Sequence, residues 1–364
     1  MAITSNFTDV LLPLVNDIKS EADFSKLLFE KVFLSRDFEK NHKIVTGVKQ
    51  GNLVPILKDV PNYESFPFVD ANSCDTTECS LNHQYSGEKW ELGLIECRIP
   101  ICLRSFDDNF LAFWNQYKMI NPTENATNDY LKTALLQFLT NQVKNNLNAS
   151  RWRVAWFADK SSDSKFFNGF NGFFTRMEAT PNHIVRIAKN NESTYSAQKM
   201  TGKEIYDTLC EMEEKREDLG LDEEENTTIK MGKRNAKILA RYLNNLKDKQ
   251  CCQGMEIINP DAIQTKSFRF DNMAFHGTKI EPVAEWDEII EKTSELNGGG
   301  GNNARMKPNR IVWGEDSNFL VGTQNREDLD MFDIWYDRTD RKVYIEAGAY
   351  LGASISLKNY VLAI

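Results

Sequence analysis

The stretch from Thr127 to Leu147 constrains this 364-residue chain more than any other. Leu131, Leu135, Phe138, Leu139, Gln142 and Val143 recur at steps of three and four, the period of a helix with one buried stripe. Thr127 can cap the first turn, and Asp129 complements the positive end of the helix dipole. Roughly 20 residues at a rise of ~1.5 Å make a rod of ~30 Å. The spacing predicts that Asn148-Ala149-Ser150 ends the rod, and that Trp152 to Phe157 follows as an apolar strand closed by Asp159.

Upstream, Phe7 to Phe38 carries Leu11, Leu14, Val15, Ile18, Leu27, Leu28 and Val32 at near-helical spacing, with Pro13 suited to a first turn. This reads as an extended or helical arm. From Ile44 to Leu103, short apolar runs alternate with Gly47, Gly51, Pro55, Pro61, Pro67 and Gly87, the signature of strands and turns. The polar interval Asp70 to Ser86 lies between two strand-like flanks and reads as the tip of a long hairpin, whose second strand is Glu91 to Leu103. Phe106 to Tyr117 is expected as a short, aromatic-rich helix.

Downstream, Asp159 to Ser164 is a polar connection. Phe166 to Met177 mixes aromatic side chains that need burial with glycines that permit turns. His183 to Ala188 is a strand candidate. Thr201 to Leu219 is an amphipathic helix lined by Ile205, Leu209 and Met212, and Lys233 to Lys249 is a basic one with Ile238, Leu239, Tyr242, Leu243 and Leu246 apolar. Their charges, and the acidic run Asp222 to Glu225 between them, read as solvated faces. Phe268 to Phe275, a turn, and a strand from His276 to Ile280 follow, then a helix over Glu285 to Leu296 and a flexible glycine loop over Asn297 to Asn303. The remainder is β: Asn309 to Trp313, Phe319 to Gly322, Phe332 to Tyr336, Lys342 to Glu346 and Gly352 to Ser356, with a polar turn at Asp337 to Asp340. The class is α+β, without internal repeats.

Hydrophobic residues at 41% and charged residues at 27% suit a packed globular chain, either two domains or one core with long excursions. No apolar run approaches the ~20 residues of a membrane span. The first residues lack a basic region, so a mature, non-secreted chain is expected. A formal net charge of −9 disfavours duplex binding over the whole surface. Seven cysteines, an odd count, fit a reducing compartment.

The residues that carry chemistry form no catalytic constellation. Met200-Thr201-Gly202-Lys203-Glu204 lacks the upstream glycine and the following Ser/Thr of a nucleotide loop, and reads as a capping box between Thr201 and Glu204. Cys74, Cys79, Cys97 and Cys102, with His83 between the pairs, can be drawn as a zinc tetrahedron. The competing reading is ordinary buried or interface thiols, because a five-residue step along a strand turns Cys97 and Cys102 to opposite faces. No catalytic, cofactor-binding or metal-binding residue is assigned.

The order of these parts resembles the major capsid protein of tailed double-stranded DNA bacteriophages, the Hong Kong-type or Johnson fold, and within it the crAss-like phages. Residues 1–43 match the N-terminal arm, 44–103 the extended loop, 104–158 a peripheral domain with its spine helix, 159–307 an axial domain with a charged helical insertion, and 308–364 the return strands. Asn168-Gly169-Phe170-Asn171-Gly172-Phe173-Phe174 is similar to the segment opening the axial domain. Phe275-His276-Gly277-Thr278-Lys279-Ile280 resembles an aromatic-x-Gly-x-x-Ile strand, and Asn318 to Thr323 with Phe332 to Tyr336 the return strands. The resemblance implies a non-enzymatic subunit without cofactor, assembling with itself into hexamers and pentamers of an icosahedral head. It implies residence in the virion after assembly in the bacterial cytoplasm, auxiliary capsid, portal and scaffold partners, non-specific proximity to packaged DNA, and no membrane. A vertex, ring or decoration protein and a cytosolic zinc-dependent enzyme are the competing readings.

Overall fold

The computed structural model describes residues 38, 41–54, 88–102, 143, 146–221, 226–247, 273–301, 305–329, 331–337, 339, 342–357 and 359–364. Most of the arm, the hairpin tip Asp70 to Ser86, the Phe106 to Tyr117 helix, the rod from Thr127 to Gln142, and Cys74 and Cys79 lie outside the described residues.

Strand pairing divides the β structure into two sheets. The first joins β1 (Lys43–Val45), β8 (Phe319–Gly322), β10 (Lys342–Ile355) and β2 (Gly93–Cys102) in that order, with β9 (Met331–Asp337) also paired to β10. The second runs β3 (Ile184–Val185), β11 (Val361–Ala363), β7 (Ile311–Glu315), β4 (Thr227–Gly232), β6 (Thr278–Val283), β5 (Ala274–Phe275). It is mixed: β3 with β11 and β4 with β6 are parallel, and the other pairs are antiparallel.

Alternation along the second sheet separates two cores. Ile311 and Trp313 join Ile229, Met231, Val361 and Ala363 on the side covered by α4 (Gly202–Asp218) and α5 (Lys233–Lys247). There they meet Ile205, Leu209, Met212, Ala236, Leu239 and Leu243. Val312 and Leu362 face the other way, toward α1 (residues 146–157), α2 (Phe173–Glu178) and α6 (Ala284–Lys292). That second layer continues into the first sheet through Phe319, Val321, Ala349, Leu351, Ala353 and Ile355, so a single core holds both sheets.

Several expectations change. Residues 146–157 are one helix, so Asn148-Ala149-Ser150 does not end the rod and Trp152 to Phe157 is not a strand. Trp152, Val154, Ala155, Trp156 and Phe157 are all buried, and with Arg153 alone between them the run of apolar residues hides the helical period. Lys342 to Glu346 and Gly352 to Ser356 are parts of one 14-residue strand. The small residues between them keep the strand close to its neighbour: a Cβ on Gly348 would lie 2.9 Å from the Ile95 carbonyl oxygen. The β4 strand escaped the reading because its central Lys230 is buried, with Nζ 2.8 Å from Glu281 and 3.2 Å from Asp316. Glu285 to Leu296 breaks at Thr293 into α6 and α7 (Ser294–Asn297). His183 to Ala188 is a strand only over β3.

Other local readings hold. After the four-residue α3 (Tyr195–Gln198), Thr201 and Glu204 make the capping box at the start of α4, so the Gly202-Lys203 step is a helix N-terminus. His276 and Gly277 take φ of 43° and 86° between β5 and β6, the left-handed pair a two-residue hairpin turn requires.

Candidate assembly surface

The root of the expected long hairpin is well defined. Leu53 and Lys89 form an antiparallel bridge, the Val54 amide donates to Glu88 O, and the Trp90 amide donates to Asn52 O. The chain therefore leaves at Val54 and comes back at Glu88 to the same place. Val48, Val54, Trp90, Leu92 and Leu320 form a small core at this root. Trp90 lies over Gly322, where a Cβ would be 2.5 Å from the indole ring. Arg176 faces Glu88 at 3.8 Å and Glu91 at 3.7 Å, while Lys160 stands 3.6 Å from Glu91. At these lengths the pairs are weak ties, each worth ~0–1 kcal/mol.

From the root a ribbon extends. All ten residues of β2 pair with β10, from Gly93 opposite Leu351 to Cys102 opposite Lys342, and β9 pairs with the other edge of β10. Leu94, Glu96, Arg98 and Pro100 occupy one face of β2 and are exposed. On the opposite face Ile95 and Ile99 are half-buried beside their cross-strand partners Ala349 and Ile345. Among the described residues the outer edge of β2 has no strand partner. An open edge with exposed aliphatic side chains is a template for another chain.

Behind the ribbon lies an aromatic hub. Trp156 meets Trp286, Phe173, Phe319 and Phe174 at centroid distances of 4.6, 4.9, 5.1 and 5.2 Å. Its Nε1–H donates to His42 Nε2 at 2.8 Å, so His42 carries its proton on Nδ1 and donates to Phe38 O at 2.8 Å. Burial pushes the His42 pKa down to about 3, with the Phe38 carbonyl opposing, so the ring is neutral. Neither nitrogen is free for acid–base work.

The segment Arg305 to Arg310 is strapped to the hub by charge. Arg305 bridges Asp159 and Glu295, and Glu178 accepts from Arg310 at 2.7 Å and Lys307 at 3.0 Å. The Arg305 and Arg310 guanidinium groups lie over the Phe167 and Phe174 rings. Burial raises the Glu178 carboxyl, but Arg310 and Lys307 outweigh it and hold the carboxyl below its usual range. Asp159 behaves alike: burial is overcome by hydrogen bonds from Ser161 and by Arg305. These neutralised carboxylates line a groove of about 220 Å³ and have no proton to exchange near neutral pH.

Metal chemistry finds no support where it was drawn. Cys97 and Cys102 belong to one unbulged ladder, opposite Ala347 and Lys342. Five residues at ~3.3 Å put them ~16 Å apart and on opposite faces, too far to share one zinc. The four-thiolate tetrahedron is therefore corrected, and among the described residues no group of three or more His, Cys, Asp and Glu is arranged to hold a metal. No described helix is long and apolar enough to cross a membrane.

Comparison with known proteins places this geometry. No established family profile and no curated protein matches the sequence. Solved structures do. A chain of the satellite phage P4 procapsid, in a structure that includes the size determination protein, superposes with a TM-score of 0.53 at 10% identity, covering 93% of this chain and 90% of that one. A chain of Gordonia phage Cozz reaches a TM-score of 0.47 at 10% identity, covering 89% and 84%. The SrpI encapsulin complex of Synechococcus elongatus reaches 0.44 at 10% identity, covering 90% and 86%. The match to the procapsid chain spans nearly the whole of both polypeptides, and this chain has an α+β capsid-type fold.

Proposed function

We propose that this chain is a shell-building subunit, a major capsid protein of the Hong Kong type that assembles with itself into hexamers and pentamers of an icosahedral head around double-stranded DNA. The observation that carries the reading is the shared fold with the P4 procapsid chain over 93% of the residues. The bare ribbon with its open edge and the doubled-back root at Val54 and Glu88 support it, since both offer grips to a neighbour and neither shapes a reactive pocket. On this reading residues 1–43 are the arm, 44–103 the extended loop, 104–158 the peripheral domain with its spine helix, 159–307 the axial domain and 308–364 the return strands. The chain works without catalysis or cofactor, resides in the virion after assembly in the bacterial cytoplasm, and meets portal and scaffold proteins there. The order of sequence motifs favours the crAss-like phages as the source.

Overexpression followed by electron microscopy and sedimentation tests the reading. Closed shells or rings of subunits are expected. A monodisperse monomer at every concentration and ionic strength overturns it, and trace abundance in purified particles assigns the chain to a vertex or decoration role instead.

A further inference from the structure

The sequence of β2 is nearly symmetric about Cys97. Stepping outward from that residue, Glu96 answers Arg98, Ile95 answers Ile99, and Leu94 answers Pro100. The strand also has an open edge: all ten residues pair with β10 on one side, and among the described residues no strand lies on the other. Backbone polar groups are turned toward that edge. A Cβ on Gly348 would lie 2.9 Å from the Ile95 carbonyl oxygen, so Ile95 points its polar groups at β10. By alternation Leu94, Glu96 and Arg98 point theirs outward. Pro100 falls in the same outward series, the place in a sheet where a missing N–H costs no ladder bond within the chain. Leu94, Glu96, Cys97, Arg98 and Pro100 are exposed, and Ile95 and Ile99 are half-buried. Arg98 has a partner in its own chain, Glu346 at 3.4 Å, and its side chain remains 57% exposed.

We infer that the open edge of β2 pairs antiparallel with β2 of a second copy, about a two-fold axis at Cys97. This contact rests on the shell-building reading above and is one of those that reading requires between copies. About the axis, Glu96 of each copy falls opposite Arg98 of the other, Ile95 opposite Ile99, and Leu94 opposite Pro100. Charge meets opposite charge, and apolar meets apolar. Neighbouring registers are repelled. Opposed side chains must share a face, so the axis moves by whole residues. At residue 96 it sets Glu96 against Glu96 of the second copy, and at residue 98 it sets Arg98 against Arg98. β9, the strand at the other side of β10, carries Asp333 and Asp337 and no base, so it offers Glu96 no complement, and a head-to-tail pairing of ribbons is disfavoured. Pro100 removes one donor near each end of the new ladder and leaves those around Cys97 in place. A two-fold contact joins two copies only, so other contacts complete the shell.

Cys97, an exposed free thiol, gives a direct readout in the full chain. On the axis the two Cys97 residues form a non-hydrogen-bonded pair with Cα atoms ~4.5 Å apart, inside the ~4.4–6.8 Å range of a disulfide. Diamide added under assembling conditions is expected to join two chains there, the reagent taking up the two electrons and two protons that the thiols release. Cys97→Ser is expected to remove the joined band from a non-reducing gel. Glu96→Arg sets two pairs of like charges across the contact, as does Arg98→Glu, and each is expected to lower the crosslinked yield ~tenfold. The double variant, and an equimolar mixture of the single ones, are expected to regain it. Melting temperatures near wild type establish folding. Assemblies without a Cys97 crosslink, or single variants that crosslink as well as wild type, overturn the inference while wild-type shells keep the parent reading intact. Loss in the single variants without rescue gives the edge to a different strand and overturns it as well. A wild-type monomer at every concentration overturns both.

Discussion

The six-stranded sheet, with strands of two to six residues, and the ribbon of β2, β9 and β10, with strands of seven to fourteen, meet opposite surroundings. The first has helices over both faces: α4 and α5 on one side, α1, α2 and α6 on the other. Its centre tolerates even a buried lysine, because Lys230 finds Glu281 and Asp316. The ribbon has one face of β2 in solvent and an edge without a partner among the described residues. A sheet covered on both sides buries both faces within one chain, whereas a strand bare on a face and an edge offers groups that, on the shell-building reading proposed above, a neighbouring copy would meet. The difference is therefore spatial: the body buries its own faces, and the ribbon leaves one face and one edge of β2 open among the described residues.

Four substitutions or conditions break or sharpen that contrast. Trp156→Ala empties the hub and is expected to cost ~3–5 kcal/mol, read as a loss in chemical denaturation. Acid comes next. His42 is held neutral down to pH 3, while in the unfolded chain it protonates near 6.5. The unfolded state therefore holds a proton that the native state refuses, and stability falls as pH drops from 6.5 toward 3 by up to ~1.4 kcal/mol per unit. His42→Gln flattens that slope in melts taken across the range. Gly322→Ala drives a methyl into the Trp90 ring at the root of the ribbon and is expected to cost ~1–3 kcal/mol. Leu94→Ser, on the bare face, is expected to move stability by less than ~0.5 kcal/mol. Sedimentation should nevertheless show that it weakens assembly; equal assembly would remove the ribbon from the contact.

The sequence made the self-contained body readable in places and hid it in others for physical reasons. The α4 cap, the β5–β6 turn and the last strands were legible because each leaves a local chemical mark: a Thr with Glu three residues on, a His-Gly pair, alternating apolar residues. The final turns of α1 were not, since five of the six residues from Trp152 to Phe157 are buried and apolar and only Arg153 marks the polar side. β4 and β11 were missed because one centres on a lysine whose partners lie 51 and 86 residues away in sequence, and the other is three residues long. The assembly surface was visible only as an order of parts. The charged stripes on α4 and α5 are exposed, as expected of solvated faces, and the zinc drawn through Cys97 and Cys102 fails only once the ladder is known to be unbulged.

The strand order of the larger sheet has a consequence for synthesis. β11 sits between β3 and β7, with Leu362 opposite Ile184 on one side and Val312 on the other. Ile184 must wait for a partner that the ribosome supplies 178 residues later, a long-range pairing of the kind that slows folding. Until then the sheet has a gap in it. A polypeptide truncated before Val361 would be left unable to close that gap, so incomplete translation products would fail to reach the native fold.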